Sequence, residues 1–97
     1  MLIKINSVYY PGLVNHPQHN LAKKQQISPD GNPAFGAMVS IDLQTFDRAS
    51  SFVKNLKIFK LAESLGGVES LICHPAKMTH ASISEEQRAK LGISDGL

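Results

Sequence analysis

A cluster of turn-forming residues in the first half of the chain places the strongest constraint on its fold. Residues 28–33 read SPDGNP, and neither the two prolines nor the glycine can continue a helix or a strand ladder. The cluster predicts a surface loop. The segments on either side must therefore form separate, short elements.

The segment before this loop predicts a strand and then a helix. Apolar and polar residues alternate over 3–10, which predicts a strand that ends at Pro11-Gly12. Pro17 suits a first helical turn, and good helix-forming residues follow it, so a helix is expected over 17–26.

The segment after the loop predicts a second strand and a second helix. Over 35–43 the odd positions from Ala37 are apolar, which predicts a strand with one buried face. Thr45 suits a helix N-cap. The apolar residues that follow recur at three- and four-residue steps, which places them on one helical stripe: Phe46, Ala49, Phe52, Val53 and Leu56.

Gly66-Gly67 ends that pattern, and two further elements are expected beyond it. An apolar run predicts a strand over 68–73, and Ser84 with Gln87 has capping-box spacing at the start of a helix over 85–91. The order β-α-β-α-β-α predicts an α/β fold (α+β, two-layer), with a small mixed or antiparallel sheet covered by helices. We expect residues 1–97 to form a single domain.

Composition excludes several classes of protein. With 42% hydrophobic and 19% charged residues, the chain is too apolar for a wholly disordered protein and lacks the composition of collagen or a coiled coil. A net charge of +2 is too weak to indicate a nucleic-acid partner, and no apolar run is long enough for a membrane span. The single cysteine, Cys73, suits a reducing compartment, so we expect a cytoplasmic location.

Candidate chemical groups are few. His16 and His19 form an H-x-x-H pair that could bind a metal ion together with His74 or His80, although histidines at a helix start more often serve as polar end residues. A nucleophilic Cys73-His74 pair is disfavoured because neighbours on a strand point to opposite faces. No dinucleotide, P-loop, C-x-x-C or G-x-S-x-G motif is present.

Two segments carry a family resemblance, YYPGLVNHPQH over 9–19 and LAESLGGVESLICHPAKMTHAS over 61–82. They resemble the pyridoxal-phosphate enzymes of cysteine and methionine metabolism, which include cystathionine gamma-synthase, gamma-lyase, beta-lyase and methionine gamma-lyase. Residues 36–42 and 92–97 match in order and spacing as well. The resemblance implies the C-terminal domain of a fold-type I enzyme, part of a chain several times longer.

In that family the cofactor lysine, the aspartate facing the pyridine nitrogen and the phosphate site lie upstream of the matching region. None of the eight lysines falls in the family's cofactor-lysine motif, so we expect the parent enzyme, but not this chain, to hold pyridoxal phosphate. Family members also continue past the segment matching 93–97 with Ile-Arg-Leu-Ser, a strand whose arginine binds the substrate α-carboxylate. The resemblance thus implies a domain that lacks its last strand.

The resemblance also implies the substrate-binding residues. The position of Ser70 lies near the substrate carboxylate, and that of Glu69 influences which amino acid and reaction are favoured. Thr79 matches a family Met-Thr-His segment, where a structural loop role is at least as expected. The parent would act on cystathionine-like sulfur amino acids by γ- or β-elimination or replacement.

Two functional hypotheses follow. The first is an enzyme fragment that is inactive alone. The second is a free-standing interaction or oligomerisation module derived from the same domain. Because a missing strand would leave an unpaired sheet edge, we expect a homo-oligomer in which 35–43 is the favoured contact.

Overall fold

The computed structural model describes residues 4–97, which form two compact units. One consists of Ser7–Ile41, and the other combines the residues up to Asn6 with Asp42–Leu97. The regular elements of the described chain are helices and two short two-stranded sheets, which confirms the predicted α/β class. Within this part of the chain, no helix is both long and apolar enough to cross a bilayer.

The unit Ser7–Ile41 contains β1 (Ser7–Tyr9) and α1 (His19–Gln25). β1 is shorter than predicted: residues 4–6 are not in a strand, and residue 3 lies outside the described residues. α1 confirms the predicted helix but begins two residues later than expected. Its start is delayed because consecutive turns occupy the preceding segment, with Leu13 N–H donating to Tyr10 O and His16 N–H to Leu13 O, both at 3.0 Å.

The strand predicted over 35–43 is mostly wrong. Only β2 (Ser40–Asp42) forms, and it pairs with β1. Gly36 has a φ of +78°, a left-handed conformation that interrupts an extended strand. The predicted buried face is wrong at Ala37 and Val39, which are exposed, and confirmed at Ile41, which is half-buried, and at Leu43, which is buried.

The other unit contains α2 (Phe46–Lys54), with Thr45 as its N-cap. The Thr45 Oγ1 atom accepts a hydrogen bond from Arg48 N–H at 3.2 Å, as the sequence predicted. On the predicted apolar stripe, Ala49 is buried, whereas Phe46 is 41% exposed. Phe52, Val53 and Leu56 are half-buried.

Two short parallel strands follow, β3 (Lys60–Leu61) and β4 (Leu71–Ile72), with Lys60 opposite Leu71 and Leu61 opposite Ile72. β4 is shorter than the predicted strand over 68–73, since Val68 is fully exposed and Gly66 has a φ of +82°. β3 was not predicted, because a two-residue strand leaves no periodicity in the sequence.

The last helix, α3 (Glu85–Lys90), confirms the prediction for 85–91 to within one residue. Ser84 Oγ accepts a hydrogen bond from Gln87 N–H at 3.2 Å. Gly92 follows the helix with a φ of +77°, the left-handed conformation that commonly ends a helix.

Candidate functional site

Glu69 and Ser70, which the resemblance implies bind substrate, form the candidate substrate loop directly before β4. Ser70 O accepts a hydrogen bond from Lys60 N–H at 2.9 Å, and Ile72 O accepts one from Ala62 N–H at 3.0 Å. These two bonds fix the backbone at the start of β4. The side chains of Glu69 and Ser70 are exposed, so the loop presents a carboxylate and a hydroxyl on a fixed backbone.

Thr79 lies beyond the opposite end of β4. Its Oγ1 is 3.8 Å from Cys73 Sγ, a weak hydrogen bond, and 2.8 Å from His80 Nδ1. Residues 70 and 73 are about 10 Å apart at the usual strand rise. Among the described residues, no hydrogen bond joins the Thr79 side chain to Ser70 or Glu69. Glu69 and Ser70 are therefore neighbours in the segment before β4, and the Thr79 side chain makes its hydrogen bonds elsewhere, to Cys73 and His80.

His74 was considered above as a possible metal ligand, and its burial was not predicted. It is only 2% exposed, and its ring lies 5.0 Å from the ring of Phe46. Its Nε2 is 2.8 Å from Asp95 O, and because a carbonyl oxygen can only accept, Nε2 carries the hydrogen. His74 is thus a core residue that ties the end of β4 to the C-terminal segment. The only sequence feature that could have indicated this core position is the location of His74 between a predicted strand and Pro75.

Arg88 supports the same C-terminal segment. Its Nη1 donates to Ile83 O at 2.6 Å, and its Nη2 lies 3.6 Å from Asp95 Oδ1. Within residues 4–97, His74 Nδ1 and Arg88 Nε are buried without a hydrogen-bond partner. No sequence motif indicates this contact of Asp95.

The C-terminal segment packs against the start of α2. Ser94 Oγ donates to Asp42 Oδ2 at 3.0 Å, and Leu43 N–H donates to Gly96 O at 2.8 Å. Gly96 is buried, and a Cβ added there would lie only 2.5 Å from Gln44 N. This segment therefore requires glycine at position 96.

The H-x-x-H pair serves the backbone around α1. His16 Nδ1 accepts a hydrogen bond from Gln18 N–H at 3.0 Å, whereas His19 Nδ1 donates to Pro11 O at 2.7 Å. The His19 ring also stacks on Phe35, with the ring centres 5.4 Å apart. In the described part of the chain, no group of three or more His, Cys, Asp or Glu side chains is placed to hold a metal ion. The pair therefore stabilises the turns that lead into the helix.

The described residues do not fit pyridoxal phosphate. A cavity of about 230 Å³ is lined by Pro11 and by residues of α1 and its two ends, without a lysine among them. All eight lysines are exposed, whereas a lysine that binds this cofactor needs a pocket that lowers its basicity and orients the ring. No step of chemistry through the cofactor can be derived from these residues.

Comparison with known proteins shows the family. The family described as "Cys/Met metabolism PLP-dependent enzyme" matches residues 3–97, and the chain belongs to it. This finding confirms the resemblance drawn from residues 9–19 and 61–82.

Individual relatives give the scale of the similarity. The chain is 56% identical over 93 residues to a cystathionine beta-lyase of Lactococcus lactis subsp. cremoris, and 53% identical over 93 residues to a cystathionine gamma-lyase of Bacillus subtilis (strain 168). Each match covers 96% of this chain and 23% of the relative. The chain thus spans about a quarter of the length of these curated relatives.

Solved structures agree with this alignment. A crystal structure of cystathionine gamma synthase from Xanthomonas oryzae pv. oryzae, in complex with aminoacrylate and cysteine, matches with a TM-score of 0.79 and 54% identity. The match covers 95% of this chain and 22% of that one. A structure of cystathionine gamma-lyase from Lactobacillus plantarum with L-serine gives a TM-score of 0.78 at 40% identity.

Proposed function

We propose that this chain supplies the substrate-side domain of a pyridoxal-phosphate-dependent transsulfuration enzyme. The parent would catalyse γ- or β-elimination or replacement on cystathionine-like sulfur amino acids. The observation that carries the proposal is the 54% identity and TM-score of 0.79 to a cystathionine gamma synthase, maintained over 95% of this chain. A second structure of that enzyme contains cystathionine itself. In the parent, the bound cofactor supplies an electron sink for carbanionic chemistry.

Ser70 is proposed to donate a hydrogen bond to the substrate carboxylate. Its backbone is held by the bond from Lys60 N–H, and its exposed hydroxyl is free to turn toward a ligand. A hydroxyl on a fixed backbone loses little conformational freedom when it binds, which favours recognition. A hydrogen bond to a charged group contributes about 1.5 to 3 kcal/mol.

Glu69 is proposed to select among substrates. Its carboxylate is exposed beside Ser70, so it would attract a substrate ammonium group and repel a second carboxylate. Thr79 is retained as a weaker candidate for substrate binding, since its hydroxyl already contacts Cys73 and His80.

The isolated chain is proposed to be inactive. Its exposed lysines offer no cofactor pocket, and the resemblance places the cofactor machinery in the rest of the parent. We further propose that residues 1–97 act as one domain of a cytoplasmic enzyme, in keeping with the single cysteine.

A chimeric enzyme tests this function. The 93 residues of the Lactococcus lactis cystathionine beta-lyase that match this chain are replaced by the corresponding part of this chain. We expect the chimera to cleave cystathionine. Ser70→Ala should lower its kcat/KM by roughly tenfold or more, the loss expected for one hydrogen bond to a charged group.

Ser82→Ala is the matched control, because Ser82 is also exposed and has no proposed role. Changing Glu69 to Gln should shift the ratio of cystathionine turnover to turnover of competing sulfur amino acids. A folded chimera without activity would contradict the proposed function. Equal kinetics for Ser70→Ala and Ser82→Ala would remove Ser70 from the substrate site.

A self-associating module is the second candidate, and exposed apolar side chains favour it. Around β3 and β4, Phe59 and Leu61 are each 49% exposed, and Val68 is fully exposed. Two-stranded sheets are marginally stable alone, and apolar patches of this kind usually mark an interface. We therefore propose a homo-oligomer whose contact is formed by β3 and β4. This replaces the contact expected at 35–43, where only Ser40–Asp42 is a strand.

Sedimentation at increasing concentration should show association, and Leu61→Lys should weaken it. A monomer at every concentration would contradict this candidate.

A further inference from the structure

The loop 28–33 contains an Asp30-Gly31 peptide, which is chemically the most reactive kind of aspartyl bond. The backbone nitrogen of a glycine can attack the preceding aspartate Cγ, because no side chain hinders its approach. A C–N bond forms as the C–O bond to the hydroxyl of the protonated carboxyl breaks, and that hydroxyl leaves with the hydrogen of the attacking nitrogen as one water molecule. Water then opens the resulting succinimide at either carbonyl, which gives aspartate or isoaspartate. Isomerisation leaves the order of residues unchanged, but in the isoaspartate product the main chain is one carbon longer.

The turn itself requires this dipeptide. Gly31 has a φ of +88°, a conformation that side chains with a Cβ rarely adopt. Asp30 Oδ1 accepts a hydrogen bond from Asn32 N–H at 3.1 Å, the contact that shapes an Asx-type turn. Replacing Gly31 with a residue that has a Cβ would strain the turn.

Five contacts oppose the reaction. The Ser28 hydroxyl donates to Asp30 Oδ1, the oxygen that also accepts from Asn32 N–H. Gly31 N–H, which carries the attacking nitrogen, instead donates to Ser28 O at 2.9 Å. The base of the loop is closed by Ser28 N–H donating to Asn32 O at 2.8 Å and by an antiparallel bridge between Ile27 and Pro33. Ser28 thus occupies both the electrophile, through its hydroxyl, and the nucleophile, through its carbonyl.

We propose that Ser28 protects the Asp30-Gly31 peptide from spontaneous isomerisation, by binding the carboxylate through its hydroxyl and the glycine amide through its carbonyl. The carboxylate is a poor electrophile compared with the protonated acid. The Ser28 hydrogen bond, followed by those from Asn32, lowers the pKa of Asp30, which further reduces the reactive form at neutral pH.

A second Asp-Gly peptide in the chain, Asp95-Gly96, provides an internal reference. Gly96 is buried against Gln44, and Asp95 faces Arg88. This peptide is restrained by packing and not by Ser28. A change at Ser28 should therefore alter the isomerisation rate of Asp30 and leave that of Asp95 unchanged.

The experiment ages the full chain at neutral pH and physiological temperature and measures isoaspartate at both sites by peptide mass spectrometry. A synthetic peptide covering 26–36 gives the unrestrained rate. We expect Asp30 to isomerise at least about threefold more slowly in the chain than in the peptide, as one net hydrogen bond implies. Ser28→Ala should raise the Asp30 rate, whereas Ser28→Thr, which keeps the hydroxyl, should retain protection.

Equal rates in the chain and the peptide would overturn the proposal, and this comparison does not depend on any variant. An Asp30 rate unaffected by Ser28→Ala would overturn it as well. Global unfolding of the variant would raise the rates at Asp30 and Asp95 together, so the ratio of the two rates isolates the effect of Ser28.

Discussion

Replacing Gly96 with alanine should destabilise the unit that contains α2. A Cβ at this position would lie 2.5 Å from Gln44 N and 2.7 Å from both Gln44 C and Thr45 N. These are backbone atoms at the entrance to the helix, so they cannot rotate away as a side chain could. The C-terminal segment would have to move, and its hydrogen bond from Leu43 N–H to Gly96 O would lengthen.

The loss of folding free energy expected for Gly96→Ala follows from the same geometry. Forcing extra volume into a packed site costs about 1–3 kcal/mol, and for a domain of this size each kcal/mol lowers Tm by about 4–8 °C. Gly67→Ala is the matched control, because a Cβ there meets nothing within 4 Å. Both substitutions reduce the entropy of the unfolded chain equally, so the difference between them measures the steric clash alone.

Denaturant titration and amide hydrogen exchange provide the measurements. We expect a lower free energy of unfolding for Gly96→Ala than for Gly67→Ala, together with faster exchange at the Leu43 amide. If the two variants had equal stability and the Leu43 amide remained as protected as in the parent chain, the close packing inferred for Gly96 would be refuted.

Three further outcomes are expected. Incubation with pyridoxal phosphate followed by borohydride should leave no stoichiometric adduct on any single lysine, because all eight are exposed; peptide mapping that finds one fully labelled lysine would contradict this. The Asp30 carboxyl should titrate below the ordinary aspartate pKa of 3.8, since hydrogen bonds from Ser28 and Asn32 favour its charged form. Its stabilising contribution is therefore present above that ordinary pKa and lost as the pH falls through the folded value, and a carboxyl-carbon NMR titration of wild type and Ser28→Ala checks the shift. Thr45→Ala should cost about 1 kcal/mol through loss of the N-cap, measured by denaturant unfolding against the unsubstituted chain.

Local signals in the sequence predicted the helices well. Thr45 and Ser84 cap helices through bonds to residues three positions away, so their effect is contained in a short stretch of sequence. The turn cluster over 28–33 was predictable for the same reason, as its prolines and glycine act on their own backbone. Capping and turn formation depend little on distant contacts.

Contacts between distant residues could not be predicted. β3 exists because Lys60 pairs with Leu71, and no periodicity in a two-residue strand reveals that partner. The burial of His74 depends on Phe46 and on the carbonyl of Asp95, which lie far from it in the sequence. Gly36 misled the strand prediction because alternation continues through it while its left-handed φ interrupts the strand.

The candidate loop itself was found only through resemblance. Glu69 and Ser70 carry no motif of chemical significance, and their residue types are common in turns. The structure adds what the resemblance could not, which is that the Ser70 backbone is fixed while both side chains are exposed.

The parallel pairing of β3 and β4 has a consequence for how this region can vary. Nine residues link Leu61 to Leu71, fewer than the dozen or more usual between parallel strands. The connection is therefore a short loop, and Gly66 lies at its left-handed bend. The hydrogen bond from Lys60 N–H to Ser70 O joins the two ends of this loop. We therefore expect substitutions within residues 62–69 to leave the register of β3 and β4 unchanged, because the pairing is made at the two ends of the connection.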